Sequence, residues 1–182
     1  MTDPIQLTKQ DHVIAYRVYN QLMSNIDDTK PFVSKQSLNI DNKNPTKEFS
    51  SLLEHTLALL KSYNFSCNID RWFIEGQRYH STGRGVITPL AWHLDDGGAW
   101  SENYVATVIY YLKKDPELSG GNLKYNLGNN DPDMDYTSRE YPKIIVASGN
   151  TVLMNGDLWH CPENISGYGD RELLVIQLPQ CR

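Results

Sequence analysis

The hydrophobic period of the chain changes once, near Cys67, from the 3.6-residue repeat of a helix to the two-residue repeat of a strand. That single change restricts the fold to helices laid against a strand-rich body. Before it, Ile14, Val18, Leu22 and Ile26 recur on one helical face, behind a Thr8 and Asp11 pair with the spacing of a capping box. A second helix opens at Thr46, just after Pro45, and carries Phe49, Leu52, Leu53, Leu57, Leu60 and Tyr63 three and four residues apart. Between the two, residues 27–44 are polar, contain Pro31 and read as a connector with room for a short strand.

After Cys67 come all four tryptophans and eight of the eleven tyrosines, residues that favour a pleated, half-buried surface. Eight extended runs are expected, around 70–78, 86–93, 103–112, 122–126, 143–147, 150–154, 158–162 and 171–178, each bounded by Gly, Pro, Asn or Asp. Many short strands with turn signals form a sandwich or barrel, here mainly β with two N-terminal helices packed on the outer face of one sheet. The 182 residues fit one domain, with 1–66 as helical support and 67–182 as the β core.

Composition narrows the function. Seventeen basic against 22 acidic residues give a net charge of -5, which argues against a surface that tracks nucleic-acid phosphates. Three scattered cysteines make no disulfide scaffold, and no CxxC pair suggests a zinc ribbon. The N-terminus lacks a basic segment followed by an apolar one, and no apolar run approaches the roughly 20 residues of a bilayer span. A soluble cytoplasmic protein with no membrane partner is the expectation.

Two of the five histidines sit in contexts that carry chemistry. His93 closes a strand in Trp92-His93-Leu94-Asp95-Asp96, and alternation puts His93 and Asp95 on one side of an extended backbone. His160 lies far off in sequence, in Asp157-Leu158-Trp159-His160. Two imidazoles and a carboxylate make a facial triad, which leaves adjacent positions open on an iron(II) ion. The competing readings are a zinc site, a hydrogen-bonded pair of barrel histidines, or Asp96 as the carboxylate. His12, His55 and His80 read as surface or boundary histidines. Eleven residues after His160, Arg171 opens the last strand, with Leu173, Val175 and Gln177 on its face and Glu172, Leu174, Ile176 and Leu178 on the other. An inward arginine among apolar neighbours needs an anionic partner, and a bidentate guanidinium suits a carboxylate.

His93-Leu94-Asp95, His160 and Arg171 together resemble the HxD...H...R pattern of the iron(II) and 2-oxoglutarate-dependent dioxygenases. Val108-Ile109-Tyr110-Tyr111-Leu112-Lys113-Lys114-Asp115, followed by Ser119-Gly120-Gly121-Asn122-Leu123, is similar to the block in prolyl hydroxylases, hypoxia sensors included, where a YYL segment leads into a GG-x-L turn. The likeness spans roughly residues 68–179. It implies a double-stranded β-helix, that is, a cupin-like jelly roll, with iron(II) held by His93, Asp95 and His160. It further implies that Arg171 and the Tyr111 hydroxyl bind the distal carboxylate of 2-oxoglutarate, with Thr107 and Tyr79 lining the same pocket. Dioxygen is the second cosubstrate, and ascorbate an optional reductant. Related halogenases lack the carboxylate that Asp95 supplies, so the implied reaction is hydroxylation.

The implied target is a prolyl or other side chain of a peptide or protein. A free amino acid or other small metabolite is the alternative, because this fold changes substrate through its rim loops. Alkylated nucleic acid is disfavoured, since the repair enzymes of this group carry a second arginine where this chain has Gln177. Gln177 also stands where the hypoxia sensors carry tryptophan, and the interval from His160 to Arg171 is slightly longer than theirs. The segment 96–103 follows the metal strand, holds two glycines beside Trp100, and has the composition of a loop that moves over a site. Trp100, then Arg84, and Gln177 are the candidates for substrate contact. From another functional class, the chain could be a non-catalytic jelly-roll module that keeps a metal for stability.

Overall fold

The computed structural model describes residues 3–8, 12–24, 32–41, 46–67, 71–95, 104–128, 132 and 140–179. Helices α1 (Val13–Met23) and α2 (Lys47–Ser62) form where the apolar spacing places them. Thr46 caps α2 from extended backbone, its hydroxyl accepting a hydrogen bond from the Phe49 amide. Thr8 does not open α1, and Asp11, its expected capping partner, lies outside the described residues, as does Ile26. His12 takes that N-cap position without capping, because its ring is engaged elsewhere: Nε2 lies 2.9 Å from Thr151 Oγ1 and the ring meets Tyr110 edge-on.

Among the described residues, ten strands make two antiparallel sheets. The larger runs β1 (Ile5–Leu7), β8 (Asn150–Met154), β4 (Tyr104–Lys114), β10 (Ile165–Pro179), β3 (Arg71–Thr82), β2 (Phe32–Asp41), and β5 (Leu118–Gly120) pairs with the first part of β10. The smaller runs β7 (Lys143–Ile144), β6 (Leu123–Asn126), β9 (Trp159–Pro162). This is the expected jelly roll, with two differences. The connector holds a ten-residue strand, β2, which pairs with β3 along its whole length, and β1 joins the opposite end of the sheet. The N-terminal 66 residues therefore supply sheet as well as helical support. Residues 86–93 make no strand, since Pro89 withholds an amide and only single bridges, Ile87 to Ile165 and His93 to His160, tie the segment down.

Alternation along β10 builds two cores back to back. Leu174, Ile176 and Leu178 face the helices and pack with Ala106, Val108 and Tyr110 of β4, Trp72 and Ile74 of β3, and Val18, Leu22, Leu52 and Leu60 of the helices. Thr56, unexpected on this apolar helix face, is buried because its hydroxyl reaches the Leu52 carbonyl at 2.8 Å and the Tyr110 hydroxyl at 2.9 Å. Leu173 and Val175 point the other way, into a second core between the sheets with Tyr79, Ile109, Tyr111 and Leu123. Among the described residues no helix is long and apolar enough to cross a membrane.

A bulge sets the orientation of the strand that matters most. Glu172 pairs with Lys113 but Leu173 with Tyr111, so β4 carries one extra residue. Tyr111 thereby stays on the inner face while Lys113 turns outward to Asp170, at 3.2 Å. Asp170 also meets His80 Nδ1 at 2.7 Å and Arg78 Nη2 at 3.3 Å, and its amide donates to Asp115 Oδ2 at 2.8 Å. Burial alone would raise the Asp170 pKa, but hydrogen bonds from His80, Arg78 and Lys113 outweigh it and hold the carboxyl at about 2. The folded value lies below the unfolded one of about 3.9, so this network stabilises the fold above that range and its contribution disappears as pH falls through the folded pKa. Asp170→Asn is expected to lower the urea midpoint near neutrality, and the gap from wild type to narrow between roughly pH 5 and pH 2. Equal midpoints near neutrality would contradict the assignment.

Candidate metal centre

The bridge between the segment ending at His93 and strand β9 brings the two distant histidines together. Their backbones exchange two hydrogen bonds, each 3.1 Å, and their ring centroids lie 4.2 Å apart. Each imidazole is oriented by its own neighbourhood: His93 Nδ1 donates to the Ala91 carbonyl and His160 Nδ1 to the Leu158 carbonyl, both at 2.9 Å. A carbonyl only accepts, so Nδ1 carries a proton, and in the neutral ring Nε2 is the atom that can bind a metal. Both Nε2 atoms approach the Asp95 carboxylate, at 3.7 Å each and on different oxygens. The donor atoms of His93, Asp95 and His160 all lie within 4.8 Å of one another. Burial lowers the His160 pKa, with Asp95 opposing and His93 adding to the shift, so the ring favours the neutral form that binds a metal.

Asp95 is not in an extended strand. It sits in a turn, fixed by its amide to the Gly156 carbonyl at 2.8 Å and by the Thr107 hydroxyl, which donates to Asp95 Oδ2 at 2.7 Å. Thr107, a cosubstrate-pocket candidate in the sequence, thus acts first on the carboxylate. Two imidazoles and one carboxylate form the donor set suited to iron(II) with open positions. Glu163, spaced like a further ligand, is instead held by Lys143 at 2.9 Å and Asn122 at 2.7 Å.

Arg171 stands on another wall of the same cavity, 1% exposed. Its guanidinium carbon lies 5.2 Å from the ring centroids of both Tyr79 and Tyr111, and its Nε and Nη1 have no hydrogen-bond partner among the described residues. Cation–π contact offsets only about 0.5–2 kcal/mol, against several for burying an ion. Burial pushes the Tyr79 hydroxyl up to about 12 and raises that of Tyr111, the Arg171 charge opposing both, so the phenols stay protonated. Tyr79 spends its proton on Gln77 Oε1, at 2.7 Å, and meets Arg171 with its ring. The Gly120-Gly121 turn follows from this crowding. Both residues have positive φ; a side chain on Gly120 would collide with the Asn164 carbonyl, and a Cβ on Gly121 would press Arg171 Cδ at 3.2 Å.

The cavity joining these walls has a volume of about 240 Å³. Gln177 lines it, as the alternation of β10 requires, whereas Arg84 lies exposed in the turn after β3, outside the lining. Trp100 and the segment 96–103 fall outside the described residues. Sequence reasoning missed Lys35, Phe73, Glu75, Gln77 and Leu90 in the lining. Alternation back from Tyr79 along β3 would have found Gln77, Glu75 and Phe73; Lys35 required knowing that β2 exists.

No protein-family model matches the sequence, and no curated protein matches it. Solved structures do. A prolyl-4-hydroxylase from Pseudomonas putida aligns with a TM-score of 0.59 at 14% identity, over 98% of this chain and 93% of that one. An oxidoreductase of the 2OG-Fe(II) oxygenase family from Burkholderia pseudomallei gives 0.63 at 14% identity, over 98% and 86%. HygX from Streptomyces hygroscopicus, solved with nickel and 2-oxoglutarate bound, gives 0.61 at 14% identity, over 98% and 83%. The chain has the 2OG-Fe(II) oxygenase fold. Within that oxygenase fold the orienting hydrogen bond of Thr107 is open to a direct check. Thr107→Val is expected to weaken manganese(II) or nickel(II) binding about 10–100-fold in a calorimetric titration, with the fold retained by circular dichroism. Unchanged affinity would mean that the Thr107 hydrogen bond does not position Asp95 for a metal.

Proposed function

We propose that the protein is an iron(II)- and 2-oxoglutarate-dependent hydroxylase. One observation carries the reading: a single cavity holds an iron-type donor triad, His93, Asp95 and His160, together with a buried guanidinium, Arg171, with two nitrogens that have no hydrogen-bond partner among the described residues. Iron(II) at the triad would supply dioxygen activation, coupling decarboxylation of 2-oxoglutarate to succinate and carbon dioxide with transfer of the second oxygen atom into a substrate C–H bond. The chain's own residues account for the rest. His93 and His160 offer their Nε2 nitrogens and Asp95 a carboxylate oxygen, a set of three that leaves positions open on the metal. Arg171 meets the distal carboxylate, and Tyr111 contributes a protonated hydroxyl beside it. Ile109, Leu123, Leu173 and Val175 make the walls apolar and strengthen each polar contact within.

For the substrate, the common fold with the Pseudomonas putida prolyl-4-hydroxylase supports a prolyl or other peptide side chain. A small amino acid-like metabolite is favoured instead by a lysine and glutamate pair in the cavity lining. The chemistry is tested by 2-oxoglutarate turnover without added substrate. Iron-dependent succinate formation is expected, abolished in His160→Ala, with the KM for 2-oxoglutarate raised roughly 30-fold or more in Arg171→Ala. Iron-loaded protein that neither binds nor consumes 2-oxoglutarate would instead make the chain a non-catalytic metal-binding jelly roll.

A further inference from the structure

The β2 and β3 side of the cavity carries charges that the oxygenase chemistry leaves unused. Lys35 Nζ lies 3.5 Å from Glu75 Oε1, and both side chains remain partly open, 30% and 19% exposed. Gln77 donates to the same Glu75 oxygen and accepts from Tyr79, whose ring underlies Arg171. Glu75 Oε2 takes no hydrogen bond from a described residue, and Glu75 is the acidic partner of Lys35. All three side chains line the cavity that also holds the triad, beside the apolar Phe73, Leu90 and Val175.

An ion pair placed in a ligand cavity is an inefficient way to join two strands that already share a continuous backbone ladder. In a mostly apolar pocket, a few polar groups fix the orientation of a ligand. Here those groups have opposite charge and a net charge of zero. A singly charged ligand would pair with one and leave the other stranded, and a residue inside a peptide, with neutral amides on both sides, would satisfy neither. A molecule carrying an ammonium and a carboxylate together satisfies both. We propose that Glu75 and Lys35 receive the ammonium and the carboxylate of a free amino acid or similarly zwitterionic small molecule, selecting it over a residue within a peptide. Gln77 is a positioning residue, holding Glu75 relative to Tyr79. The inference rests on the oxygenase reading of the same cavity.

The test is binding to iron-loaded protein with 2-oxoglutarate under nitrogen, measured by calorimetry. The probes are the protein amino acids, their N-acetyl and carboxamide forms, and a proline-rich peptide. At least one free amino acid is expected to bind, with either blocked form about tenfold or more weaker and the peptide silent. Lys35→Met should collapse the preference for the free acid over its carboxamide to about one, and Glu75→Gln the preference for the free amine over its N-acetyl form. Equal binding of free and blocked forms, binding of the peptide, or no binding of any amino acid overturns the proposal. The wild-type ratios decide between these outcomes even where a variant fails to fold. Selective binding without any aerobic 2-oxoglutarate turnover would sink the hydroxylase reading and leave the subsite standing, and turnover with unselective binding would do the reverse.

Discussion

A guanidinium that is almost wholly buried, with two nitrogens that find no hydrogen-bond partner among the described residues, is a costly group to fold, and much of the structure is arranged around it. Tyr79 and Tyr111 bracket Arg171 from the two strands that flank β10. The extra residue of β4 keeps Tyr111 inside while sending Lys113 out. The glycine turn before β6 exists in a form that leaves room for the arginine side chain. One residue earlier, Asp170 is tied to Arg78, His80 and Lys113 on the opposite face, which anchors the backbone from which Arg171 projects. A buried charge held this firmly and left incompletely paired is suited to receive an anion, which is the role proposed for it.

The same strand that carries the receptor also carries the support. Leu174, Ile176 and Leu178 fix β10 against the helices, and their odd-numbered neighbours form the cavity floor. The helical layer therefore supports the site from behind, while among the described residues no helix residue lines the cavity. The metal donors belong to the opposite arrangement. His93 and Asp95 sit on an irregular segment held by single bridges and by Thr107, so their placement depends on a handful of hydrogen bonds to β9, Gly156 and β4.

Those differences decide what the sequence reveals. The triad and Arg171 are legible because their chemistry needs particular residue types in a fixed order, and β10 is legible because its strict alternation between two apolar faces leaves one charged inward position. Helix α2 announces itself through Thr46 and its apolar stripe. Strand β2 is hidden, since an edge strand with Ser34, Lys35, Gln36 and Ser37 has no apolar alternation to detect, and with it goes the Lys35 and Glu75 pair. Residues 86–93 look like a strand by composition but lack a partner along their length, a fact of topology that local pattern does not encode. The role of Thr107 toward Asp95 is a contact across twelve residues and a turn, visible only once β4 and the metal segment are in place.

On the proposed reading, the triad and Arg171 act together on one molecule of 2-oxoglutarate. Anaerobic titration of the iron(II)-loaded protein with 2-oxoglutarate, followed by visible absorption, puts that joint action to the test. A new charge-transfer band is expected, saturating at one cosubstrate per protein and failing to form in the iron-free chain. A titration with no new band, or 2-oxoglutarate binding that is equally tight with and without iron, would contradict it.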